Sequence, residues 1–294
     1  MEADVGVLVF GSVRSCGVTT LATALAATWP TDRRVLLIEL DPAGGTLAAA
    51  SGWPSEPSLV SLAAAGRRAS DPDLVWKHCQ TLPGGNPVLA GPANPEQARS
   101  ALGMLAGLLG RLGELDADVL VDCGRLEPRS PGMAVLDCAD RMVLAARPCL
   151  ADLNALAVWG ETRSMDGKRP GLVTVGDGPY PDAEITDTLG TQVLGRVPWD
   201  PAAAEALVTL PVSDRELRMA PLVRSAQSLA DHLAGDLAGT ATVGDPLTGA
   251  PAKSSSSGVS LQSRTLRSRV LRQTWRPEST ARSTNGSTPE EANR

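Results

Sequence analysis

Phe10-Gly11-Ser12-Val13-Arg14-Ser15-Cys16-Gly17-Val18-Thr19-Thr20 joins an apolar run to a helical pattern, and its reading decides the fold. Residues 5–10 are continuously apolar, as in a strand covered on both faces. From Thr19 to residue 27 the pattern is helical and rich in Leu and Ala. A glycine-containing turn between such a strand and a helix gathers backbone N–H groups at one point, which makes an anion site. The phosphate-binding loop G-x-x-x-x-G-K-[ST] occupies this context. Gly17 fills the glycine before the lysine and Thr19 the Mg²⁺-binding hydroxyl, but Val18 stands where the lysine belongs. Gly11, Arg14, Gly17, Thr19 and Thr20 are therefore the candidate nucleotide contacts.

Two further segments bring acids to strand ends, where open α/β sheets bind ligands. The run at 35–40 ends in Glu39-Leu40-Asp41-Pro42. The run at 119–121 ends in Asp122, the Walker B pattern of an apolar strand with a carboxylate that supports Mg²⁺. Asp41 is the candidate catalytic acid, and Thr19 and Asp122 are the candidate metal ligands. Strand-like runs recur at 88–90, 142–146, 172–175 and 193–197. They alternate with helical patterns at 95–112, 150–163, 181–189 and 214–237. This rhythm predicts an α/β fold, a doubly wound and mostly parallel sheet of about seven strands, in one domain over 1–238. Asp152, and Asp214 with Glu216, are placed as helix caps.

Beyond 238 the pattern stops. A Gly, Thr, Pro and Ser linker leads to an Arg-rich segment at 264–276, and 239–294 reads as a disordered tail. That tail holds eight basic and four acidic residues, so of the net −6 it carries +4 and the preceding body −10. An acidic body argues against a broad DNA-binding face, because such binding rests on phosphate neutralisation. Five cysteines without a CxxC pair point to a reducing cytoplasm. No apolar stretch approaches the ~20 residues that span a bilayer. His78 and His232 are isolated in sequence and are expected on solvated helices.

Loop, acid pair and Walker B strand occur together in the order of the ParA/MinD family of deviant-Walker P-loop ATPases, which the chain resembles over roughly residues 4–237. In that family the loop reads K-G-G-x-G-K-[ST]-T, followed by strands ending D-x-D-P-Q-G and V-D-x-P-P. The resemblance aligns the two lysines with Val13 and Val18, and the paired glycines with Arg14 and Ser15. Gly17, Thr19 and Thr20 match. Glu39 takes the first acid, Asp41 matches the acid linked to positioning water, and Ala43 replaces the usual Gln. Asp122 matches the Walker B acid. Val197-Pro198-Trp199-Asp200 resembles the segment that flanks the adenine, while Val175-Gly176-Asp177 departs from the usual asparagine.

The resemblance implies ATP and Mg²⁺ as ligands and a homodimer. It also implies a role in positioning DNA, septa, pili or secretion machines. Members with eroded loops occur beside Tad-type pilus and secretion ATPases, which implies a protein partner of that kind. Losing both lysines implies weak or no hydrolysis, since a cation acting on the transferred phosphoryl group is worth about 10³–10⁵ in rate. The alternative reading is a pseudo-ATPase that keeps the fold as an interaction scaffold. MinD-like proteins can hold membranes by a C-terminal amphipathic helix. The Arg-rich tail is accordingly a candidate contact for membrane or nucleic acid, and peripheral membrane localisation is an expectation.

Overall fold

The structure, a computed structural model, describes residues 5–66, 71–127, 135–161 and 170–240. The linker and Arg-rich tail expected from 241 onward lie outside the described residues. Strand β1 (Val7–Ser12) leads into helix α1 (Val18–Thr28) and then β2 (Val35–Glu39). Two short helices, α2 (Leu47–Ala50) and α3 (Leu59–Gly66), precede the strands β3 (Gln80–Thr81) and β4 (Pro87–Leu89). Helix α4 (Pro95–Leu109) connects to β5 (Asp118–Arg125), and α5 (Val135–Cys138) to β6 (Arg141–Ala146). The chain continues through α6 (Leu150–Glu161), β7 (Gly171–Val175), α7 (Asp182–Leu189) and β8 (Val193–Val197). It closes with α8 (Pro201–Leu207), α9 (Arg215–Met219) and α10 (Pro221–Thr240).

These strands form one sheet in the order β3-β4-β2-β5-β1-β6-β7-β8. Every pairing is parallel except β3 with β4, so the doubly wound, mostly parallel α/β sheet is the observed fold. Side chains alternate between two apolar layers, as the pleat requires. Leu8 and Phe10 face the layer that holds α1, α8, α9 and α10 residues; Val7 and Val9 face the layer of α3, α4 and α6 residues. Both layers are apolar, which is why β1, β2 and β7 read as nearly continuous apolar runs. At roughly 25 cal/mol per Å² of apolar surface removed from water, these layers dominate the stability. At the N-terminal end of β5, the buried Asp118 accepts hydrogen bonds from Trp29 Nε1 (2.8 Å) and Arg33 Nη2 (2.6 Å).

Several elements differ from the sequence reading. An eighth strand, β3, is only two residues long, too short for a periodic signal. The expected helix over 214–237 is two helices. Pro221 has no N–H and disfavours a helical residue before it, and Ala220 accordingly turns extended at ψ 137°. The pattern at 95–112 ends as a helix at Leu109. Helices α2, α3, α5 and α8 were not expected; each is eight residues or fewer. Asp214 caps α9 as expected, accepting from Leu217 N at 3.0 Å. Asp152 instead sits inside α6 and reaches back to Arg147 N at 3.2 Å.

Candidate functional site

Strand β1 lies at the centre of the sheet between β5 and β6, and the loop at 13–17 leaves its C-terminal end. Helix α1 begins behind Gly17, whose φ of 90° lies in the left-handed region that glycine tolerates. The first intrahelical bond runs from Leu21 N to Gly17 O at 3.0 Å. The N–H groups of Val18, Thr19 and Thr20 therefore have no acceptor within the helix, as an anion cradle requires. Val18, at the lysine position, is only 6% exposed and belongs to the apolar layer. Gly11 is buried within β1, where an added Cβ would lie 2.6 Å from the Leu126 side chain. It is a packing glycine at the sheet end, set back from the loop. Arg14 is exposed and has no hydrogen-bond or ion-pair partner among the described residues.

Three carboxylates stand on adjacent strand ends, and they divide into different roles. Glu39 is buried and accepts hydrogen bonds from Thr46 N (2.7 Å), Leu47 N (3.2 Å) and Gly91 N (2.9 Å). It ties the start of α2 and the segment after β4 to the end of β2. Burial raises its pKa, and the three N–H groups act against that rise. Asp41 is half-buried and accepts from Ala43 N at 2.7 Å, so it closes the turn at Pro42 while facing the site. Burial raises its pKa too, opposed by Ala43 N–H and by the nearby Arg125 guanidinium.

Asp122 is fully buried at the end of β5. Its Oδ1 accepts from Gly124 N at 2.8 Å, and its Oδ2 has no hydrogen-bond partner. Desolvation pushes its pKa up to about 7, with Glu39 and Asp41 adding to the rise. The Thr19 hydroxyl faces the carboxyl and favours its charged form. A buried polar oxygen without a partner costs about 1–3 kcal/mol, more when it is charged. Such an oxygen beside a hydroxyl at an anion-binding loop fits a hard cation, which takes oxygen ligands and shares them with phosphates. Thr19 and Asp122 thus suit Mg²⁺. Among the described residues no group of three or more His, Cys, Asp or Glu could hold a metal by itself, so a nucleotide would complete the ligand set.

The structure also brings in residues that the sequence reading did not select. β5 bulges at Gly124 (φ 57°), and Arg125 Nη2 then donates to Ser15 Oγ in the loop at 2.8 Å. The motif following Asp122 is the only sequence signal of this. Thr20, selected as a phosphate contact, also lines a cavity of about 230 Å³ with Gly17, Leu21, Val175, Trp199 and Leu222. Trp199 is 63% exposed, and a Cβ added at Gly17 would lie 3.6 Å from its ring. Asp200 caps α8, accepting from Ala203 N at 3.0 Å, and so fixes the backbone beside Trp199. This cavity adjoins the anion cradle and is the size and character of a slot for a planar ring.

Other reactive groups are accounted for by packing. All five cysteines are free, and the buried Cys16 thiol is pushed up to about 12 by desolvation, so it stays protonated. His78 is half-buried in a 3₁₀ turn (Pro72–His78) with Nδ1 2.7 Å from Ser61 Oγ, which corrects its expected place on a solvated helix. His232 is exposed on α10, 3.6 Å from Asp236. No helix among the described residues is long and apolar enough to cross a membrane.

No protein-family model matches the chain. No curated protein sequence matches it either. Solved structures do. A ParA family ATPase from Chlorobium tepidum is 18% identical, with a TM-score of 0.65 over 78% of this chain and 98% of that one. The septum site-determining protein MinD of Pyrococcus horikoshii, solved with Mg-ADP, is 16% identical, with a TM-score of 0.63 over 79% and 98%. A chain of the MinC:MinD cell division protein complex of Aquifex aeolicus is 16% identical, with a TM-score of 0.61 over 83% of this chain and 98% of that one. At this identity the likeness is one of fold: the chain has the ParA/MinD-type P-loop architecture almost from end to end of those proteins.

Proposed function

We propose that this protein is a ParA/MinD-like positioning or regulatory protein that binds ATP with Mg²⁺ and hydrolyses it slowly or not at all. The observation that carries the reading is the fully buried Asp122 carboxyl, whose Oδ2 has no hydrogen-bond partner, with the Thr19 hydroxyl at the start of α1 beside it. Around it stand the N–H groups of Val18, Thr19 and Thr20, and an apolar slot under Trp199. In this reading Gly17, Thr19 and Thr20 bind the phosphates, with Arg14 at the rim and Gly11 shaping the strand end beneath. Thr19 and Asp122 hold Mg²⁺, which would neutralise charge on the phosphate oxygens. Asp41 orients the attacking water, and burial raises its pKa toward that of a better proton acceptor.

Slow turnover is supported by Val18, which packs an apolar side chain into the core at the lysine position. We place the protein in the cytoplasm, as a homodimer acting on a protein partner such as a pilus or secretion ATPase. The Arg-rich tail is the proposed contact for membrane or nucleic acid. The partner reading draws on the resemblance and on the MinC:MinD complex. The burial of Val18 also favours a second reading, a scaffold that binds no nucleotide.

Calorimetry with Mg-ATP separates the two. A ligand at 100 times its Kd adds about 2.7 kcal/mol to stability. Heat together with a raised unfolding temperature is expected. Neither heat nor a shift at millimolar Mg-ATP would leave only the scaffold. Asp41→Ala is expected to keep Mg-ATP affinity within about threefold and to abolish any turnover; loss of affinity would make Asp41 a turn residue alone.

A further inference from the structure

Between the pairs Phe10↔Asp122 and Ser12↔Arg125, β5 uses three residue steps where β1 uses two. Gly124 absorbs the slip at φ 57°, and an added Cβ there would meet the Asp41 carboxylate at 2.0 Å. A bulge of this kind re-aims the side chains that follow it. Regular pairing would set Gly124 opposite Ser12; the bulge sets Arg125 there instead, on the loop side of the sheet end. Arg125 Nη2 donates to Ser15 Oγ at 2.8 Å, and among the described residues the guanidinium has no other hydrogen-bond or ion-pair partner. Its remaining N–H donors are uncommitted among the described residues. The charge is close enough to Asp41 to favour that carboxylate's ionised form.

The other cations around the loop are less suited. Arg14 is exposed with no tether. Arg147, on the β6 flank, is committed to Asp152 through Nε (3.0 Å) and Nη2 (3.3 Å). We propose that Arg125 is the phosphate-binding cation of this site, taking the role left empty by Val13 and Val18, with Ser15 as its anchor. The inference rests on the nucleotide reading above and assigns the group that recognises a di- or triphosphate. A planar guanidinium can grip two phosphate oxygens at once. Anchoring one nitrogen on Ser15 reduces the side-chain freedom lost when the others bind. The serine at a position that the resemblance gives to glycine supplies that anchor.

The test measures Mg-ATP, Mg-ADP and AMP affinity of the full chain by calorimetry for wild type, Arg125→Ala, Arg125→Gln and Arg14→Ala. Gln keeps a donor for Ser15 and removes the charge. Both Arg125 variants are expected to lose about 10- to 100-fold in Mg-ATP and Mg-ADP affinity. AMP is expected to change less than threefold, so that the preference of the site for longer phosphate chains collapses. The unfolding temperature without ligand should stay within 2 °C for Arg125→Gln, and Arg14→Ala should lose less Mg-ATP affinity than either Arg125 variant. If wild type binds Mg-ATP and Arg125→Gln binds it equally, the assignment of Arg125 is refuted and the nucleotide reading stands. If wild type binds none of the three, both are refuted.

Discussion

Replacing Asp122 by Asn tests the most unusual electrostatic feature of the site. The folded protein holds this fully buried carboxyl with a pKa of about 7, against 3.8 for the unfolded chain. The folded state therefore keeps a proton that the unfolded state has already released. Stability is fully present below pH 3.8 and falls as pH rises toward 7, because the unfolded chain binds fewer protons over that window. At pH 8 the whole shift is felt, about 4 kcal/mol. Asn has the same shape and no ionisation, so Asp122→Asn should stabilise the unliganded protein, and more so at higher pH. From pH 5 to pH 8 the gap between variant and wild type should widen by about 2–3 kcal/mol, levelling off above the folded pKa near 7. Urea unfolding at pH 5, 6, 7 and 8 in the absence of divalent cations measures the gap directly. The same substitution should abolish stabilisation by Mg-ATP, so the stability gain is bought with loss of the metal site. A gap that stays constant from pH 5 to 8 would refute the reasoning, since the Asp122 proton would then play no part in folding.

Two further outcomes follow from neighbouring residues. Glu39→Ala leaves three N–H groups without their acceptor, at Thr46, Leu47 and Gly91, and should lower stability by about 3–5 kcal/mol in urea unfolding; a loss below 1 kcal/mol would contradict its assignment as the tie between β2, α2 and β4. Trp199→Ala removes an exposed ring, so ligand-free stability should change by no more than about 0.5 kcal/mol. Mg-ATP affinity should fall roughly 5- to 100-fold as stacking is lost, while inorganic tripolyphosphate affinity is unaffected; equal losses for both ligands would move the base away from this slot.

The sheet was legible because β1, β2, β5, β6 and β7 are covered on both faces, and a strand buried on both sides writes a continuous apolar run into the sequence. The short elements were not. β3 has two residues and α2 four, and neither length can display a period. The single helix expected at 214–237 failed at Pro221, where one missing N–H outweighed a continuing apolar pattern. In the site, Gly17, Thr19 and Asp122 are close together as expected, because each sits next to a recognisable strand end or helix start. Gly11, selected as a nucleotide contact, packs against Leu126 at the sheet end, while Glu39, aligned with the first acid of the pair, anchors three backbone N–H groups. Arg125 was missed because its position depends on a bulge, which shifts the facing of one residue without changing composition.

The sequence by itself determined the α/β alternation, the strand–loop–helix at Phe10–Thr20 and the absence of lysine from that loop. These are local matters of side-chain chemistry and short-range backbone preference. Tertiary structure alone decided which acids would be satisfied and which left bare. Glu39 meets three backbone donors supplied by other segments, while Asp122 is sealed between β1, β2 and α1 with one oxygen unmatched. The two carboxylates look alike in sequence. Their difference comes from desolvation and from donors brought in by residues up to 52 positions away.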